Sequence, residues 1–172
     1  KANSDLVSNG AVSVIGTTTV NKNATVGTLA VTNGLAASNG MTSTGAVSVG
    51  DTTTITGSTT TDNLTVTKKL TANNGLTSTG TVSVGSTTTV TDTATTGTLA
   101  VPNKTLTANN GLTSTGAVSV GSTTTVTGTA SVGALSIPSG ETLTASDGLT
   151  SAGAVSVGGT TQVADNANVG NL

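Results

Sequence analysis

The chain has 172 residues, only 7% of them charged, and a formal net charge of −2. It contains no Phe, Tyr, Trp, His or Cys, which excludes the usual zinc, haem and iron–sulfur ligand sets and any His- or Cys-based catalytic dyad. The acidic residues are scattered singly, and five basic residues without an aromatic side chain offer no platform for nucleic acid. We therefore expect a protein that is not an enzyme and that binds no cofactor, metal or nucleic acid.

A long repeat begins at residue 10. The motif GAVSVG, or a close variant, occurs at 10–16, 45–50, 80–85, 116–121 and 153–158, and a weaker copy follows each one. The half-repeats are 17 to 20 residues long and start near residues 10, 27, 45, 62, 80, 97, 116, 133, 153 and 170. This periodicity predicts a repetitive domain over 10–172 after a lead-in segment at 1–9, and we expect the chain to be part of a longer fibre protein.

Most half-repeats have two apolar residues at alternate positions, then a Gly or Pro, and then a third apolar residue, with Thr32 and Thr67 as exceptions at the Gly or Pro position. In the half-repeat that starts at Gly80 these are Val82 and Val84, the breaker Gly85, and Val90. Alternate spacing places both valines on one face of a β-strand. The breaker predicts a turn, because glycine permits positive φ and proline fixes φ. No segment has the apolar spacing of a helix, so the sequence predicts an all-β fibrous repeat of strand, turn and strand.

The segments between half-repeats are patterned as well. Tight turns are predicted at Asn74-Gly75, Asn110-Gly111 and Asp147-Gly148. A leucine follows each of these turns, for example Leu76 and Leu112. We expect these segments to be loops that fold back with one apolar anchor.

Two architectures can be built from such units. In a monomeric β-solenoid each coil stacks on the previous one around a core within one chain. In an intertwined fibre, neighbouring chains complete the core. A solenoid coil needs three core-lining sides, yet the residues 11 to 16 positions after the start of a half-repeat are mostly Thr, Ala, Asn, Asp and Ser. The sequence therefore favours an intertwined homotrimeric β-spiral or β-helix rod.

The pattern of alternating apolar residues, Gly or Pro turn, further apolar strand and variable loop resembles the triple β-spiral of viral fibre shafts. That family includes adenovirus fibres, the reovirus attachment protein and some bacteriophage spikes. The resemblance covers about residues 10–172 and implies three parallel chains around a threefold axis. It implies a trimer core made of Val47, Val49, Ile55, Val82, Val84, Val90, Leu99, Val101, Leu106, Val118, Val120, Val126, Leu135, Ile137, Leu143, Val155 and Val157. It implies outward turns at Gly50, Gly85, Pro102, Gly121, Pro138 and Gly158.

By this resemblance the chain is expected to be the homotrimeric shaft of a virus or phage tail fibre. Such a shaft lies on the virion surface, or is otherwise extracellular, and holds a terminal receptor-binding domain, with the particle anchor also outside this segment. With one strand of about five residues per unit, ten units would give a rod of at most about 170 Å. No segment of the sequence is apolar for long enough to predict a membrane span.

Two other functions remain open from the sequence. The stalk of a bacterial surface adhesin would use the same rod. An ice-binding β-solenoid is the third reading, because residues 17–19, 52–54, 87–89 and 123–125 are all Thr. Its rungs would be the central residues Thr18, Thr53, Thr88 and Thr124. The intervening half-repeats offer Lys104-Thr105 or Glu141-Thr142 at these offsets, so we expect a ladder broken at every second rung and no ice activity.

Overall fold

The computed structural model describes residues 2–171, and this part of the chain contains strands and turns but no helix. The strands form two sheets, one of 12 strands and one of 9 short strands. The larger sheet contains β1 (Leu6–Val14), β3 (Asn23–Val31), β5 (Gly40–Ser43), β6 (Val47–Val49), β8 (Ser58–Thr61), β9 (Leu64–Val66), β11 (Leu76–Val84), β13 (Ala94–Val101), β15 (Leu112–Val120), β17 (Ala130–Ile137), β19 (Leu149–Val157) and β21 (Ala167–Asn171). The smaller sheet contains β2 (Thr18–Val20), β4 (Leu35–Ala37), β7 (Thr53–Ile55), β10 (Leu70–Ala72), β12 (Thr88–Val90), β14 (Leu106–Ala108), β16 (Thr124–Val126), β18 (Leu143–Ala145) and β20 (Thr161–Val163).

Every strand pair in both sheets is parallel, and each strand pairs with its equivalent in the next half-repeat. Leu76 pairs with Ala94, and Ala94 pairs with Leu112. One half-repeat is therefore one coil of a parallel β-solenoid. The all-β repeat predicted from the sequence is confirmed, in the solenoid form that the sequence left open. The first coil includes β1, which begins at Leu6, ahead of the first leading glycine.

Each coil contains three strand segments around one core. The long strands have a register shift near their middle, which in β11 lies between Ser78 and Thr81. We call the part before the shift the first segment and the part after it the second segment; the short strand that follows is the third segment. In two coils the long strand is divided completely, into β5 and β6 and into β8 and β9. Inward residues of all three segments belong to one continuous apolar cluster.

Inward side chains alternate in size between successive coils. In the first segments Leu76 lies beside Ala94, and in the third segments Thr88 lies beside Leu106 while Val90 lies beside Ala108. In the first and third segments a large residue thus meets a small one at each step along the solenoid, whereas in the second segments Val82 lies beside Leu99. This alternation explains why the sequence repeats most strongly over two coils rather than one.

The predicted core residues are buried within this single chain, apart from Val157, which is partly buried against the cluster. Their burial therefore needs no second or third chain. The expectation that the coil has no third core-lining side is wrong. That side is the first segment, where Leu76 and Ala94 alternate and where small polar residues such as Ser78 and Thr96 are also buried. The leucine predicted as a loop anchor begins a strand instead.

The predicted turn residues each follow the last residue of a strand, as Gly85 follows β11 and Pro102 follows β13. Gly85 and Gly121 do not have positive φ. They are glycine because the previous coil passes too close: a Cβ would overlap the carbonyl oxygen of Thr67 or Pro102, respectively. Positive φ occurs instead in the predicted Asn-Gly turns, at 107° in Gly75 for example, so those turn positions are confirmed.

The register shift in the long strands is stabilised by buried serine hydroxyls. The Ser114 hydroxyl lies 3.1 Å from the carbonyl oxygen of Gly97 and 3.2 Å from that of Gly116, and its single proton is shared between these two acceptors. Ser43 makes the same contacts to Gly27 and Gly45. Each buried hydroxyl thus has carbonyl acceptors on both strands at the shift, so it is not left without a partner. These glycines are the leading residues of the sequence repeat.

The solenoid is much shorter than the limit set from the sequence. Strands in a solenoid run around the axis, so each coil adds one interstrand spacing rather than one strand length. Ten coils at about 4.8 Å per coil give a length of about 45 Å.

Candidate functional site: a threonine face

The middle residue of each short strand points away from the core. In β12 the side chains of Thr88 and Val90 are buried, whereas Thr89 is half-buried. Pairing of the short strands shows no register shift, so these middle residues form one row along the solenoid. In order, this inner row consists of Thr19, Ala36, Thr54, Thr71, Thr89, Thr107, Thr125, Thr144 and Gln162.

A second row lies beside the first, two residues earlier in each coil. Parallel hydrogen bonding extends to these positions, because the amide of Thr88 donates to the carbonyl of Thr105 at 3.0 Å and that of Leu106 donates to Thr123 at 3.1 Å. Residues two apart on an extended strand face the same way. This outer row consists of Thr17, Gly34, Thr52, Lys69, Thr87, Thr105, Thr123, Thr142 and Thr160.

Both rows hold threonine in four successive coils. We define the threonine face as the residues Thr87, Thr89, Thr105, Thr107, Thr123, Thr125, Thr142 and Thr144. Equivalent threonines in neighbouring coils are about 4.8 Å apart, and the two threonines of one coil are about 6.7 Å apart. The face is thus a two-dimensional array with a fixed repeat in both directions.

The hydroxyl groups of the threonine face are largely free to bind water. Within the described residues, the Thr89, Thr107, Thr125 and Thr144 hydroxyls make no hydrogen bond to the protein. The Thr123 hydroxyl lies 3.4 Å from a Glu141 carboxylate oxygen at the edge of the face. Every position also carries a methyl group, so the face combines hydroxyl and methyl groups and contains no charged residue of its own.

The sequence-based assignment of the ice-binding rungs is wrong. Thr53 and Thr124 have no exposed surface, and Thr88 is 1% exposed, because these central threonines point into the core. Their hydroxyls have no hydrogen-bond partner. An error of one residue in assigning the outward positions of a strand exchanges its two faces. The outward residues of each run of three threonines are therefore the first and the third.

The expected break in the ladder is absent in the four coils from Thr87 to Thr144, whereas Gly34, Ala36 and Lys69 interrupt the rows in earlier coils. Glu141 lies level with Ser122 in the preceding turn, where the Ser122 hydroxyl donates to its carboxylate at 3.1 Å. The intervening coils place Thr105 and Thr107, or Thr142 and Thr144, in the rows. The sequence signal that could have found this array is the alternation of a threonine every second residue in each coil from 87 to 144.

The remaining surface has few charged contacts. Lys68 and Asp51 form an exposed ion pair at 3.3 Å. Asn110 donates a side-chain hydrogen bond to Asp92 at 3.0 Å, and this contact, together with the Thr93 amide, lowers the pKa of the Asp92 carboxyl. The described residues contain no group of acidic side chains that could hold a metal ion. They also contain no helix suited to crossing a bilayer.

Comparison with protein families, curated proteins and solved structures gives no match to this chain.

Proposed function

We propose that this chain is a structural rod, the shaft segment of a trimeric virus or phage tail fibre that holds a receptor-binding domain away from the particle. The observation that carries the proposal is the uniform stacking of coils. Two parallel ladders run along the described chain, and the apolar cluster continues through them from Val20 to Val155. A load on one end is therefore distributed over the hydrogen bonds and packing of many coils.

The outward residues also suit a rod in water. Exposed strand positions are mostly Ser, Thr and Ala, which are compatible with β-structure and give a soluble surface without strong charge repulsion. The 172 residues supply about 45 Å of shaft length. A longer shaft of this type requires further coils of the same kind.

The proposed trimeric state can be tested by measuring the mass of the purified protein in solution. Sedimentation equilibrium of the purified chain should give three times the chain mass of 16.2 kDa. Because each chain has a closed core, the three rods would associate through their outer surfaces. A mass of 16.2 kDa together with a β-type circular dichroism spectrum would contradict the trimeric shaft.

A further inference from the structure

We infer that the threonine face is a binding site for ice, which it engages through ordered water. The inference goes beyond the proposed rod and does not depend on it. A rod needs a continuous core and a soluble surface, but it does not need one of its sides to be a regular array.

The regularity of the face points to a ligand that is itself periodic. Thr89, Thr107 and Thr125 occupy identical positions in successive coils, with the same backbone register throughout. Their partners in the outer row repeat at the same interval. A ligand that matches this spacing gains the same contact at every coil, so a weak interaction per threonine adds over the whole face.

The chemistry of the face favours water as that ligand. A threonine hydroxyl can donate one hydrogen bond and accept two, and the hydroxyls of the inner row make none within the described protein. The adjacent methyl groups cannot hydrogen-bond, so they restrict the orientations of neighbouring water molecules. Hydroxyl and methyl groups that repeat at every coil therefore hold water in a pattern set by the protein.

Other periodic ligands fit less well. Crystalline polysaccharides offer flat sugar rings that stack on aromatic side chains, and this sequence has none. The threonine face contains no charged residue, so neither a mineral surface nor a nucleic acid has a charge to pair with it. A protein partner needs large buried anchors such as Trp, Tyr or Arg, and threonines do not provide them.

The fold does not by itself require threonine at these positions. The second segments of the same coils carry Ser83, Ala100 and Ser119 at the equivalent outward positions, and they form equally regular parallel pairs. The sequence-based expectation of no ice activity assumed a broken ladder. The observed register removes that reason.

The test uses the full chain in assays of thermal hysteresis and of ice recrystallisation at micromolar protein. We expect activity from the unmodified chain and its loss in the double variant Thr107→Lys/Thr125→Lys, which places two charges on the inner row. The matched control is Ser119→Lys/Ser136→Lys on the outward side of the second segment, where the two paired residues are exposed and no threonine is replaced. The control should keep the activity.

Circular dichroism and thermal melting of all three proteins verify that the fold is retained. A second variant, Thr107→Ser/Thr125→Ser, keeps the hydroxyls and removes only two methyl groups, so it should fold and show reduced activity. An inactive unmodified chain, or equal loss of activity in the control and face variants, would overturn the inference. The oligomeric state measured by sedimentation remains a separate result that bears only on the trimeric shaft.

Discussion

The second and third segments of each coil contribute to the same core in different ways. Inward residues of the second segment are apolar in every coil, as with Val118 and Val120 in β15. Inward residues of the third segment include a buried threonine in alternate coils, such as Thr124 beside Leu143. On the outside the difference is reversed, because the third segment presents regular threonines and the second presents Ser or Ala. Packing in the core explains which residues point inward in both segments. It does not explain why the outward residues of the third segment are threonines.

The largest expected effect comes from placing a charge in the second segment. Val120→Asp should destabilise the fold by about 4 kcal/mol or more, since it buries a carboxylate with no partner. Ser119→Asp, one residue away but exposed, should change stability by less than about 0.5 kcal/mol. Urea unfolding of both variants provides the comparison, and similar losses would mean that the inward and outward faces are assigned wrongly.

Substitutions in the turn between the second and third segments should lower the stability of the fold by nearly as much. Gly121→Ala introduces a Cβ that overlaps the Pro102 carbonyl oxygen of the preceding coil, and we expect a loss of about 1–3 kcal/mol. Gly10→Ala is the control, because no atom lies within 4 Å of the added Cβ. Thermal melting of the two variants measures the difference. An unchanged melting temperature for Gly121→Ala would contradict the close stacking of coils at this turn.

Two substitutions that remove a buried hydroxyl group should change the stability of the fold by smaller amounts and in opposite directions. Thr124 has a buried hydroxyl without a partner, so Thr124→Val should stabilise the fold by about 1 kcal/mol. The Ser114 hydroxyl proton is shared between two backbone carbonyls, so Ser114→Ala should destabilise the fold by about 1 kcal/mol. Denaturant midpoints of the two variants should therefore move in opposite directions. Shifts of the same sign would show that the Thr124 hydroxyl has a partner in solution.

The sequence predicts the second segment well, and the reason is physical. Val82 and Val84 alternate with small polar residues and are followed by Gly85, so strand, facing and turn can all be derived from spacing. Leading glycines and Asn-Gly turns are equally local signals. The all-β repeat and its period follow from these features, although the leading glycines lie inside the long strands, as Gly116 does in β15.

The first and third segments were harder to predict because their core residues are not uniformly apolar. Ala94 and Thr96 line the core beside Leu112 and Ser114, and a search for apolar residues alone passes over them. A small residue can be assigned to the core only when the pairing of strands shows which large residue of the next coil lies beside it. The facing predicted for Val90 is right, but assigning an ice-binding rung to Thr88 conflicts with it, because residues two apart on a strand point the same way.

The central claim is that one chain forms a solenoid that rises by one interstrand spacing per coil. Spin labels on cysteines introduced at Thr42 and Thr150 test it directly, because the sequence has no native Cys and the register places these outward residues six coils apart. Pulsed electron paramagnetic resonance should give a distance of about 29 Å, at about 4.8 Å per coil, and dilution with unlabelled chain should leave it unchanged. A distance several times longer, as in an intertwined spiral that rises by a large part of a strand per unit, would contradict the solenoid.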